Sequence, residues 1–328
     1  MQKEINHFLD TLDRSKNTID AYRYGLRRFV SIVGEDAPLN AETFETFLSA
    51  IKEYSPSTKQ IWRSAVLGLY IFCKSGDLAE IQGLIQHYTR KHTKQMVNFN
   101  REAIEQVIEY CSHLGGGLPA LRDRAFVLTL ADTGLRISEA CALKRGDIDW
   151  LEARAIITGK GNKQAVIRFS DRSIQAMREY HIACASIEPN TRMPLKSQPV
   201  FARHDIRASK KLKPISASGM WTAIKGDPKQ GIKGRIEEAG VDRSLVRIHD
   251  LRHYFVTMTY LAKRDIKLSQ ELARHSSIDT TNRYTHFGGE ADAAYDEIFN
   301  RRENEKNLDD GTTITRTKPK GETSWHKA

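Results

Sequence analysis

Apolar positions recur at helical spacing along most of the chain. In "NTIDAYRYGLRRFVSIVG", Tyr22, Leu26, Phe29 and Val33 fall on one face, with Asn17 a candidate N-cap and Gly34 a stop. "NAETFETFLSAIKEY" repeats the pattern with Phe44, Phe47, Leu48 and Ile51, and "SPSTKQIWRSAVLGLYIFCKSG" predicts a third helix ending near Gly76. With a helix before these and one after, residues 1–88 are expected to form a bundle of four or five helices. The basic, apolar-poor "TRKHTKQ" then marks 89–97 as a linker.

A second domain is expected over 98–301. "NREAIEQVIEYC" places Ile104, Val107, Ile108 and Cys111 at i, i+3, i+4 and i+7 behind Asn100, and an apolar helix follows through "RAFVLTLADTG". The period changes at "ARAIITGKGNKQAVIRFS", where two β-branched runs flank a glycine-rich turn and predict a hairpin. Helices are expected again over 171–187, 249–263, 267–275 and 291–301. The polar, Thr/Lys-rich 302–328 is expected to be a disordered tail. The fold class is therefore mainly α in two domains: a helical bundle, then a mixed α+β domain with a small antiparallel sheet.

Composition adds a partner class. The 328 residues suffice for two domains of about 100–200 residues each. There are 51 Lys+Arg against 41 Asp+Glu, yet residues 1–97 hold 13 against 11, so the excess lies in the second part. Residues 203–247 alone carry 11 basic and 5 acidic side chains without a regular apolar period, and read as a loop region near a polyanion. The start "MQKEINHFLD" lacks the apolar core of a signal peptide, and "AFVLTLA" is too short to span a bilayer; a cytoplasmic protein with no membrane partner is expected. Cys73, Cys111, Cys141 and Cys184 are scattered without a C-x-x-C pair and read as free core thiols.

Four motifs supply cations and hydrogen-bond donors. "TGLRISE" puts Arg136 after a glycine turn at a helix start, and "TGKGNKQ" puts Lys160 in the hairpin turn. "HDLRHYFVT" sets His249 and Arg252 three apart on one helical face, with Leu251, Phe255, Met258 and Ala262 as the face toward the core. "ARHSSIDTTNRYTHF" supplies His275 and, nine residues on, Tyr284 in a segment with few apolar neighbours. Singly, each has a plain structural explanation: a surface ion pair, ordinary turn chemistry, a packed histidine or tyrosine. "HDLRH" also resembles the H-E-x-x-H zinc motif, but Asp250 stands in the general-base position, Arg252 adds a fixed cation, and no third ligand is set apart downstream. No metal and no cofactor are expected. Together, two arginines, a lysine and two histidines around a tyrosine suit a phosphodiester. Guanidiniums grip nonbridging oxygens in bidentate fashion, and a phenol with a pKa near 10 needs stabilised charge and a proton acceptor to attack phosphorus.

The order Arg136, Lys160, His249-x-x-Arg252, His275 and Tyr284 resembles the tyrosine recombinase (phage integrase) family, and the likeness covers about residues 1–300. The resemblance implies a SAM-like core-binding domain over 1–88 and a catalytic domain over 98–301, which together form a clamp around double-stranded DNA. It implies a site-specific recombinase or integrase that cuts and rejoins DNA through a 3′-phosphotyrosyl intermediate and a Holliday junction, without ATP or metal. Tyr284 would be the nucleophile, Arg136 and Arg252 the phosphate clamp, and Lys160 the donor to the leaving 5′-oxygen. His249 would accept or position the tyrosine proton, His275 would donate to a nonbridging oxygen, and Glu139 would support the site. The partner would be DNA carrying a specific recombination site, bound by a homo-tetramer assembled from free monomers. The helix "ADAAYDEIFNRR" would dock on a neighbouring protomer. Where the family commonly has Leu-Gly-His, this chain has Ala273-Arg274-His275, so that Arg274 could add a phosphate contact. The alternatives are a type IB topoisomerase-like relaxing enzyme, which shares the site but needs no synapsis, and a non-catalytic DNA-binding protein.

Overall fold

The computed structural model describes residues 1–88, 98–158, 164–187, 192–205, 208, 211–275 and 277–284, and the chain divides into two units, Met1–Lys94 and Gln95–Ala328. The described part of the first unit is all helical: α1 (Gln2–Asp10), α2 (Lys16–Val33), α3 (Ala41–Ala50), α4 (Pro56–Phe72) and α5 (Leu78–Tyr88). Ser15, not Asn17, begins α2; its hydroxyl accepts the Thr18 amide, and Gly34 closes the helix as expected. The core is built from Leu26, Phe29, Phe44 and Phe47, which the apolar period picks out on α2 and α3, together with Leu69 and Tyr70 of α4.

The described part of the second unit is mostly helical with two small antiparallel sheets. Helix α6 (Arg101–Ser112) starts on Asn100, whose side chain accepts the Ala103 amide at 2.9 Å. Helix α7 (Leu118–Thr133) is buried all round from Ala125 to Leu130 and runs through the centre of the core, so its sequence shows no polar face. After α8 (Ile137–Ala142), strands β1 (Ile148–Asp149), β2 (Arg154–Thr158) and β3 (Gln164–Arg168) form one sheet in that order. The hairpin register is Ile156↔Val166, with Ala155, Ile157 and Ile167 turned into the core. Its tip, including Lys160, lies outside the described residues.

Helix α9 (Asp171–Cys184) packs on α7, and β4 (Ala202–Arg203) pairs with β5 (Lys213–Pro214). The reading of 203–247 as a loop region is corrected by the structure. Among its described residues are α10 (Ala217–Lys225) and α11 (Arg235–Glu238), and Ile215, Met220, Ile224, Ile236, Val241 and Val246 are buried. Elements this short carry too few turns for a visible apolar period. The remaining helices are α12 (Asp250–Lys263), α13 (Ile266–Ala273) and α14 (Ile278–Asn282). The buried side of α12 runs through Leu251, Arg252, Val256 and Thr257, whereas Ala262 is exposed, so the expected apolar face is rotated to take in an arginine. The expected helix over 291–301 and the tail lie outside the described residues. No helix among the described residues is long and apolar enough to cross a membrane. All four cysteines are free, three of them buried.

Gly134 fixes the step from α7 into the site. It caps α7 at φ +61°, and an added Cβ would sit 2.4 Å from Cδ1 of Phe255 on α12. Gly134→Ala is therefore expected to cost about 1–3 kcal/mol, from the left-handed strain and the clash, in chemical denaturation. It should also lower any activity that depends on Arg136, two residues on.

Candidate active site

Five of the six residues singled out from the sequence lie among the described residues, and they converge on the C-terminal end of α7; Lys160 falls outside them. Arg136 occupies the N-cap of α8. Glu139 holds it from two sides, accepting the Arg136 amide at 2.9 Å and Nη1 at 2.7 Å. Burial pushes the Glu139 carboxyl up, but the Arg136 amide and guanidinium outweigh it and keep the acid below its ordinary value. Glu139 is thus a buried counterion that aims Arg136, not an exposed helix acid.

Arg252 is 2% exposed. Its Nη1 donates to the Gly134 carbonyl and its Nη2 to the Ala273 carbonyl, both in short bonds. These carbonyls close α7 and α13, where the helix dipoles are negative, so one cation ties two helix ends. Burial and the neighbouring Arg136 and Arg274 charges lower Arg252 to about 10. Arg274, at the C-cap of α13, reaches the same Gly134 carbonyl at 3.3 Å and Glu139 at 3.5 Å.

The tyrosine is placed differently from the expectation its polar context gives. Tyr284 is 2% exposed and belongs to the core of the second unit. Its hydroxyl lies 2.5 Å from Nδ1 of His253, not on His249. His249, at the N-cap of α12, meets His253 edge to face at 4.7 Å, and His275 stacks on the Tyr284 ring at 6.2 Å. The His275 Nδ1 pairs with the Thr281 hydroxyl at 2.9 Å, which links α13 to α14. Sequence reasoning misses His253 because "HDLRH" invites only a metal reading of it; its i, i+4 placement after His249 is the available signal.

Burial raises Tyr284 to about 12, against the opposing charge of Arg252, so the phenol keeps its proton where it pairs with His253. Burial and the His249 ring lower His253 to about 4, while burial with the Arg252 and Arg136 charges takes His275 to about 3. His249, although exposed, is lowered first by desolvation from the protein packed around it and then by Arg252 and Arg136. Two further histidines, His181 and His204, are lowered to about 4 by burial. Each of these imidazoles is harder to protonate in the folded chain than in the unfolded one, so below about pH 6.5 the unfolded state binds more protons. The melting temperature is expected to hold above about pH 6.5 and to fall as pH drops from there through about 4.

The family model for the phage integrase family matches residues 97–289. The tyrosine recombinase XerD of Corynebacterium glutamicum is 32% identical over 200 residues, covering 60% of this chain and 58% of that protein. XerC of Herpetosiphon aurantiacus is 27% identical over 92% of this chain and 96% of its own length. Among solved structures, the Tn1549 transposon integrase in complex with transposon right end DNA aligns with a TM-score of 0.63 at 17% identity, covering 90% of this chain and 98% of its own. The XerH site-specific recombinase bound to its difH substrate gives 0.62 at 22% identity, covering 86% and 80%. This chain belongs to the phage integrase family, the tyrosine recombinases.

Proposed function

We propose that Tyr284 attacks a phosphodiester held by Arg136 and Arg252, forming a 3′-phosphotyrosyl bond as the bond to the 5′-oxygen breaks. The protein is a tyrosine recombinase, an enzyme of site-specific DNA recombination, and its partner is DNA. The phenol proton passes to a neutral imidazole, and the 5′-oxygen takes a proton from Lys160 on the hairpin. His275 and the two arginines donate to the nonbridging oxygens, where charge rises; such donors are worth about 10²–10³ in rate each. Rejoining reverses the step, with the 5′-hydroxyl displacing Tyr284, so the phosphodiester energy is kept. Assembly as a homo-tetramer on DNA, passage through a Holliday junction, residence in the cytoplasm and work on a mobile element belong to the same proposal.

One observation supports the assignment above the others: hydrogen bonds bring together residues as far apart in sequence as 134 and 284. Arg252 and Arg274 share the Gly134 carbonyl, two residues before Arg136, and His253, next to Arg252, holds the Tyr284 hydroxyl. The phenol is seated in the core on His253, and in the proposed reaction Tyr284 exchanges that bond for the phosphate.

The test uses nicked suicide duplexes tiled across the DNA that flanks the gene, incubated with the protein in EDTA. A covalent protein–DNA band is expected. A band that forms only when Mg²⁺ is restored would contradict the mechanism. Relaxation of a supercoiled plasmid at single sites, without strand exchange between two, would favour the topoisomerase-like reading.

A further inference from the structure

We infer that Arg274 supplies a third guanidinium to the phosphate clamped by Arg136 and Arg252, an inference that rests on the proposed reading of this site. The residue stands where the family pattern commonly has glycine, and the backbone explains the glycine: φ is +56° and ψ is +43°, the left-handed region. A long side chain is kept here against a standing conformational cost. It is not spent on a surface contact, because the Arg274 side chain is only 13% exposed.

Nor is the side chain satisfied where it lies. Its Nη2 makes two long contacts, 3.3 Å to the Gly134 carbonyl and 3.5 Å to Glu139, while Nε and Nη1 are buried with no hydrogen-bond partner among the described residues. Arg122 is the contrast. It is likewise enclosed but structural, with Nε and Nη2 on Asp123 at 2.9 and 2.7 Å. Buried donors are ordinarily paired, and an enclosed guanidinium with two idle nitrogens marks a place for an acceptor.

The surrounding charge says which acceptor. Arg136, Arg252 and Arg274 lie close enough for their charges to oppose one another, and one carboxylate, Glu139, bonds within the group. A tetrahedral anion with several oxygens relieves that repulsion and can take more than one planar fork. Glu139 thus aims Arg136 and touches Arg274 while leaving most of the Arg274 fork for the ligand.

The experiment compares wild type, Arg274→Gly and Arg274→Lys on the suicide duplex that wild type cleaves, and on the same duplex with a methylphosphonate at the scissile position. The expected result is cleavage about 10²-fold slower for Arg274→Gly, a smaller loss for Arg274→Lys, and a melting temperature for Arg274→Gly equal to or above wild type. On the neutral methylphosphonate, where no charge needs compensation, the difference between wild type and Arg274→Gly should largely vanish. A second arm needs no DNA site: inorganic phosphate should raise the melting temperature of wild type more than that of Arg274→Gly. Wild-type cleavage rates for Arg274→Gly, an undiminished deficit on methylphosphonate, an unfolded or less stable Arg274→Gly, or equal phosphate stabilisation of both proteins would overturn the inference. A wild type that forms no Tyr284 adduct defeats the proposed function instead, and the phosphate arm still decides the role of Arg274.

Discussion

Arg252→Ala is expected to lower both the stability and the cleavage rate of the protein, which few active-site substitutions do together. The guanidinium is buried and donates to the terminal carbonyls of α7 and α13. Removing it takes the Arg252 donor from the Ala273 carbonyl, leaves the Gly134 carbonyl with only the long Arg274 contact, and opens a cavity, at an expected cost of about 2–4 kcal/mol in denaturant titration. It also deletes a cation from the phosphate site, for a further loss of about 10²–10³ in the rate of covalent adduct formation. Arg252→Lys keeps the charge but cannot serve both carbonyls with one planar fork, so it should recover part of the stability and little of the rate. Native stability with Arg252→Ala would show that the two carbonyl bonds contribute nothing to the fold.

Tyr284→Phe should do the reverse. The ring stays in its seat among core residues, and only the hydroxyl on His253 is lost, a change of about 1 kcal/mol. DNA binding should be unchanged, since it depends on basic side chains elsewhere and falls steeply with salt. Covalent adduct should disappear altogether, because no other group at this position can form the phosphoester. Adduct from Tyr284→Phe at any measurable rate would assign the nucleophile to another residue.

Much of this is legible in the chain. Helical spacing locates α2, α3, α4 and α6, and core positions of α2, α3 and α6, because each is long enough to repeat an apolar stripe. The β-branched runs mark the hairpin, and residue order alone groups Arg136, His249, Arg252, His275 and Tyr284. What stays hidden does so for physical reasons. The interior of 203–247 folds through elements of nine residues or fewer, too short to show a period beneath eleven basic side chains. The burial of Tyr284 depends on tertiary neighbours, since its own segment offers it almost none. Arg252 reads from the sequence as a ligand of phosphate alone, because nothing local shows that its guanidinium also closes two helix ends. The partner of the phenol escapes notice because the spacing of His253 from His249 suggests a metal before it suggests a proton acceptor.

The central claim is that Tyr284, now seated on His253, becomes the residue joined to DNA. The most direct measurement is to trap the covalent complex on a nicked suicide duplex in EDTA, digest both protein and DNA, and locate the nucleotide-bearing peptide by mass spectrometry. A single modified peptide is expected, carrying a 3′-linked nucleotide phosphate on Tyr284. Attachment to any other residue, or linkage through a 5′-phosphate, would contradict it.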